Sequence, residues 1–559
     1  MRYLRMLSNS AVTGLVAAIY VTLLFVLLNP SLPLTFGATL PLLAVIAMSY
    51  GVHVGVMAYA GLVARQLISI QGFMPAWVSL RMLAWSSGVS SAVVALLLWV
   101  NAFGYRTALG EDMLQALTAG AVTLAIGGGL LLAVALMRTF VQRGRVVVGT
   151  IYTVIALGSV GLPLYLRNRV VSDRPVTPAA SSASHTVAAA NGAPRVVMLL
   201  LDGASLDIIS PAVAAGRLPN FGRLIEEGAS MHLATTRPTQ PEPVWSSVVT
   251  GKWPLHHGIK GAATYRPFIG GRAVEVLPDL LFTRALVRLG FLVEEPYSPS
   301  SLRAAPLWRM LTRQGVSTGI VGVPLTYPSE RIDGFMVSDR DLALAALRNG
   351  IGSSPLPGRL ELLPQTGEDG AGVPGDQAHH DLAARLAGEQ PVRFLAVRYA
   401  GLDAVAHYYM RYAMPGAFGD VSEEEQQRFG RVLDDYYGYV DGLVGDALAS
   451  LHDDDLLLVV SGFGMEPLSP GKRLIERVAG NPQFSGTHER APDGFLLAFG
   501  RSVSRGRLAR GAVVDVTPTL LYFLDQPVGR DMDGFARTDL FNDAFNAQRT
   551  ITFIPTYDR

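Results

Sequence analysis

No cysteine occurs among the 559 residues. Disulfide staples and thiolate metal sites are therefore both excluded, and any metal must be held through His, Asp and Glu. Charge is scarce too: only 16% of residues are Asp, Glu, Lys or Arg, half are hydrophobic, and the mean hydropathy is +0.32. That balance is unusual for a wholly soluble chain, so lipid must hold part of it. An excess of either sign is also lacking. The formal net charge of +1 leaves no global field to gather nucleic acid by counterion release, so nucleic acid is not an expected partner. A single hydrophobic core stops growing well short of this length, and at least two structural units are expected.

What is present in the first third is apolar sequence. Five stretches, 11–28, about 38–64, about 83–103, 117–137 and 146–166, each approach the roughly 20 residues that a spanning helix needs. The first alone could be a signal peptide; four more spans make a multi-pass domain the better reading. Trp77 and Trp99 fall near the ends of the third stretch, where amphipathic rings favour the headgroup level. Arg2 and Arg5 precede the first span, Arg65 and Arg81 flank the second connection, and Arg138, Arg143 and Arg145 fill the fourth. The first connection has no Lys or Arg, and the third has one Arg and two acids. This alternation predicts a cytoplasmic N-terminus and an extracytoplasmic C-terminal domain, periplasmic in a Gram-negative cell. Arg167, Arg169 and Arg174 after the last span oppose it weakly.

Residues 175–194, PVTPAASSASHTVAAANGAP, have the small, polar, proline-containing composition of a linker. The expected division is a membrane domain over 1–170, a linker over 171–194 and a soluble domain over 195–559. In the last, RVVMLLLDG, VSTGIVGVP, VRFLAVRYAG and DDLLLVVSGFG read as buried strands, with helical stretches such as LPNFGRLIEEG and LWRMLTRQG between some of them. The fold class is thus α/β, a doubly wound sheet with helices on both faces, whose ligand site lies at the carboxyl ends of the strands.

Asp202 ends the first of these strands; alone, it reads as a turn or helix-capping aspartate. Asp403 and His407 are four residues apart, which puts both side chains on one face of a helical turn, able to converge on one cation. His379 and His380, in a stretch rich in Gly, Asp and Pro, read as solvated. His256 reads as structural, and the acidic runs Glu423 to Glu425 and Asp453 to Asp455 as exposed charge.

The motifs gain meaning together. LLLDG, then TTRPTQPEPVWSSVVTGKWPLHHGI, then PLWRMLTRQGVSTGIVGVPLTYPSERIDGFMVSDR, VRYAGLDAVAHYY, GTHERAPDGFLLAFG and VVDVTPTLLYFLDQPVGRDMDG follow one another over about residues 194–542. In that order they resemble the type I phosphodiesterase and nucleotide pyrophosphatase branch of the alkaline phosphatase superfamily. The resemblance implies an alkaline-phosphatase-like sheet and a zinc centre. Asp403, His407 and His488 match the family's first zinc site, and a carboxylate with two imidazoles makes a catalytic-type donor set. Asp202 matches a carboxylate of the second zinc site, whose usual Asp-His pair is replaced here by Gly462 and Phe463. The family's Thr or Ser nucleophile falls nine residues before Thr250, at Pro241, which has no hydroxyl. A shifted register would offer Thr239 or Ser246 instead.

These matches imply a membrane-anchored, phosphodiesterase-like protein that acts on or binds a phosphoryl substrate outside the cytoplasm. One zinc is expected rather than the usual two, with Asp202 as a further contact and hydrolysis, if any, by direct attack of water. Two rival readings stand beside it. One is a non-catalytic binding or scaffold protein. The other is a lipid head-group phosphotransferase acting on a lipid-linked substrate, because enzymes of that kind also join five spans to this fold.

Overall fold

Five helices, Arg2–Leu28, Phe36–Ile68, Leu80–Gly104, Glu111–Arg138 and Val146–Asn168, are long and apolar enough to cross a membrane. They occupy the five stretches expected from the sequence. The chain is described from a computed structural model over residues 1–68, 76–106, 109–140, 145–172, 194–275, 283–340, 375–479 and 481–558. It divides into two compact units: 1–178 together with 263–296, and 179–262 together with 297–559. The linker expected over 171–194 lies almost wholly outside the described residues.

In the first unit, small polar side chains join the helices, as apolar surroundings require of any polar group. Tyr20 Oη and Ser159 Oγ are 2.7 Å apart, and Ser91 Oγ donates to the Leu124 carbonyl at 2.7 Å. Arg167 was expected to flank the last span as a topology signal. Instead it is buried within that helix and donates to the carbonyls of Asn29, Pro30 and Leu32, capping the exit of the first helix. Residues 263–296, expected within the soluble domain, group with this unit. They contain an antiparallel hairpin of Ala263–Pro267 with Leu292–Pro296, and Asn29 exchanges two hydrogen bonds with the Glu275 backbone.

The second unit is built on a nine-stranded mixed sheet. Gly334–Val337, Thr318–Val321, Phe394–Tyr399, Val196–Leu201 and Leu456–Phe463 run parallel in that order. Asp493–Phe499 then joins antiparallel, and Ala229–Ala234 pairs antiparallel with it in turn. All six residues of Val196–Leu201 are buried, as a central strand covered on both faces demands. Val196, Met198 and Leu200 enter one core with Trp245 and Trp308; Val197, Leu199 and Leu201 enter another with Leu402, Val405 and Tyr436. The four runs read as buried strands are these four neighbours. Their register sets Leu201 beside both Tyr399 and Ser461. Asp202 and the segment leading to Asp403 thereby leave the sheet at the carboxyl ends of their strands, beside Gly462 near the end of the neighbouring strand.

Candidate metal centre

Asp403 and His407 lie on the helix Gly401–Ala413, which starts directly after Tyr399. The junction is fixed by the buried Asp376, whose carboxylate accepts from the N–H groups of Ala400 and Gly401 and from Tyr436 Oη at 2.9–3.1 Å. A Cβ on Gly401 would sit 1.7 Å from that tyrosine oxygen, so only glycine fits. His488 comes from the loop after Gly486–Thr487, and the donor atoms of Asp403, His407 and His488 lie within 4.8 Å of one another. His407 Nε2 is 3.5 Å from one Asp403 oxygen, and His488 Nε2 is 4.0 Å from the other. The three ligands taken from the first zinc motif are therefore together.

Two features suit this cluster to a cation. His407 Nδ1 faces the Gly486 carbonyl at 2.8 Å and His488 Nδ1 the Thr239 carbonyl at 2.7 Å. A carbonyl only accepts, so each Nδ1 carries a proton and each Nε2, the ring nitrogen nearer Asp403, is the atom left to ligate, the second-sphere arrangement of metal-ligating imidazoles. Asp403 Oδ1, moreover, is buried with no hydrogen-bond partner among the described residues, an expensive state that a divalent cation would relieve. Burial pushes the Asp403 carboxyl up, but the neighbouring imidazoles of His407 and His488 win and hold it at about 2. His488 itself is lowered, chiefly by burial. The donors present fit one divalent cation.

Asp202 is not in that cluster. It is 1% exposed, accepts from Trp245 Nε1 at 2.7 Å, and is gripped by Arg398, with Nε at 3.0 and 3.1 Å and Nη2 at 2.5 Å. Phe463, expected in place of one of the second site's usual ligands, is fully buried with its ring edge-on to His488, centroids 5.2 Å apart. Arg398 escaped the sequence reading. Its one signal was a cation inside an apolar strand, between Val397 and Tyr399.

Pro241 opens the helix Pro241–Thr250 as its first residue, a position where a missing N–H is harmless. Thr239 is fully buried and its Oγ1 donates to the Thr236 carbonyl at 2.9 Å. Ser246 is buried on the same helix. Of the other histidines, His256 is exposed, 2.7 Å from Asp533, and His257 is buried against Ser247. His379 and His380 are not in a solvated loop. Both lie on the helix Gly375–Glu389, His379 3.2 Å from the Arg398 carbonyl and His380 2.8 Å from Tyr399 Oη. Glu423 and Glu424 are exposed, and Glu425 closes a capping box with Ser422. Asp455, expected to be exposed, is buried against Arg195.

A family model described as type I phosphodiesterase / nucleotide pyrophosphatase matches residues 196–494, just over half of the chain. No curated protein matches. Among solved structures, murine ectonucleotide pyrophosphatase / phosphodiesterase 5, in an inactive form with AMP, is 14% identical with a TM-score of 0.39. The human protein of the same name is 14% identical with a TM-score of 0.41. Each likeness covers 62% of this chain and 100% of the other.

Proposed function

The chain belongs to the type I phosphodiesterase / nucleotide pyrophosphatase family, and from that premise we propose that it is a membrane-anchored member that binds a phosphoryl compound at a single zinc. The observation that carries the proposal is the convergence of Asp403, His407 and His488, with both Nδ1 atoms already committed to backbone carbonyls. One carboxylate and two imidazoles leave a coordination position open, which suits zinc over calcium or magnesium. When bound, the ion supplies Lewis acidity and a positive charge for a phosphoryl oxygen. Asp403 stays ionised near pH 7, and burial favours the neutral form of His488, as ligation requires.

A phospho-enzyme is not part of the proposal. Pro241 lacks a hydroxyl, and the Thr239 hydroxyl is buried and already donating. That weighs against the lipid head-group transferase, which usually works through such an intermediate, and toward a binding protein that retains an alkaline-phosphatase-like, doubly wound fold. One observation favours slow direct hydrolysis as a second reading: Glu242 Oε2, beside Pro241, is buried without a hydrogen-bond partner among the described residues. Burial raises its pKa, so this carboxylate could take a proton from an attacking water. The substrate face is assigned outside the cytoplasm, where a soluble or lipid-linked phosphoryl group can reach it.

Binding of AMP and turnover of bis-(p-nitrophenyl) phosphate by the zinc-loaded, detergent-solubilised full chain test the proposal. The expected result is AMP binding that His407→Ala abolishes, with turnover orders of magnitude below that of a two-zinc phosphodiesterase. Robust turnover abolished by His407→Ala would replace the binding role with hydrolysis, and AMP binding indifferent to His407→Ala would remove the centre from the function.

A further inference from the structure

We infer that Arg398 takes the place of the family's second cation, offering a fixed guanidinium to a phosphoryl oxygen beside the Asp403, His407 and His488 site. The inference rests on the phosphoryl-binding reading above and adds to it a ligand-contacting residue. The residues at the second position do not fit a metal ion. Both oxygens of Asp202 are taken by Arg398 Nε and Nη2, and one also by Trp245. Ligation there would break a charge-assisted fork. Gly462 cannot be extended toward a ligand either, since even a Cβ would lie 2.2 Å from Val244 Cγ1. Phe463 fills its own position with a buried ring.

The charge, by contrast, is kept. Arg398 sits in the central strand beside Leu200 in register, where a cation is tolerated only when paired. Burial works against its protonation, but Asp202, Glu242 and Asp339 together hold it above the ordinary arginine value. Only part of its donor set is spent. Nη1 makes no hydrogen bond among the described residues, and the side chain remains 16% exposed. A guanidinium with one edge locked on a carboxylate and another reachable is suited to hold a phosphoryl oxygen, since its planar fork matches phosphate geometry and its charge is permanent. A Cβ on Gly203, next to Asp202, would lie 2.9 Å from Asp403 Cα, so the carboxylate gripped by Arg398 and the three-ligand cluster lie side by side.

The test measures inorganic phosphate and AMP binding to the zinc-loaded full chain by calorimetry, alongside zinc content. Arg398→Met combined with Asp202→Asn removes both members of the fork and keeps an acceptor for Trp245 Nε1, and its unfolding midpoint is measured first to show that it folds. Its expected result is one retained zinc with phosphate and AMP affinity reduced at least about tenfold. Arg398→Lys, which keeps the charge and loses the fork, should lower affinity at least about threefold. Unchanged affinity in either folded variant overturns the inference, as does loss of zinc from the double variant, which would make Arg398 a support of the first site. Should binding depend on His407 but not on Arg398, this inference alone fails; should it depend on neither, the phosphoryl-binding reading fails with it.

Discussion

His257 shows how a single buried side chain ties the chain's chemistry to pH. The Ile259 N–H donates to its Nδ1, so Nε2 carries the proton and donates to Ser247 Oγ, which in turn donates to the Pro243 carbonyl. Burial pushes its pKa down to about 3 from 6.5. The unfolded chain therefore binds one more proton than the folded chain between those values. Stability that is complete above pH 6.5 is lost as pH falls, by about 1.4 kcal/mol per pH unit for this one group. Asparagine at 257 supplies an acceptor near the Nδ1 position and does not titrate. Between pH 6.5 and 5, the unfolding free energy of the wild type should fall more steeply than that of His257→Asn by that slope, and parallel curves would contradict the assignment. At this scale the convergence of three side chains was legible, because Asp403 and His407 share a helix turn and His488 sits in a recognisable motif. Arg398 was not. Its partner is 196 residues away in sequence, and neither position carries a local pattern that points to the other.

Elements were legible where burial imposes a pattern. The four long apolar runs of the second unit became adjacent strands because a parallel strand covered on both faces must be apolar along its whole length. Ala229–Ala234, with alternating burial, was passed over, since a short half-buried strand is marked only by its alternation. The strands Ala263–Pro267 and Leu292–Pro296 were expected in the soluble domain because a boundary was sought at the single linker, yet they group with the first unit, where Asn29 bonds the Glu275 backbone. Arg167 carries the same lesson for topology: a cation that caps a helix exit inside the protein says little about which side a loop faces. Removing it from the count strengthens the arginine asymmetry of the remaining connections. Reporters fused after Arg559 should accordingly be active only outside the cytoplasm. Activity of a cytoplasm-only reporter there would reverse the orientation.

In the molecule as a whole, the family match over residues 196–494 accompanies an uneven set of candidate ligands. One set of ligands converges with its imidazoles oriented, while the other position carries an arginine, a glycine with no room for a side chain and a buried phenyl ring. The other unit has, among the described residues, five helices long and apolar enough to cross a bilayer. The central claim is that this second unit holds one cation and not two. Metal analysis by mass spectrometry of the purified full chain, equilibrated with excess zinc at neutral pH and freed of loosely held metal, tests it most directly. The prediction is about one equivalent per chain, lost in His407→Ala. Two tightly held equivalents, or one that survives His407→Ala, would contradict it.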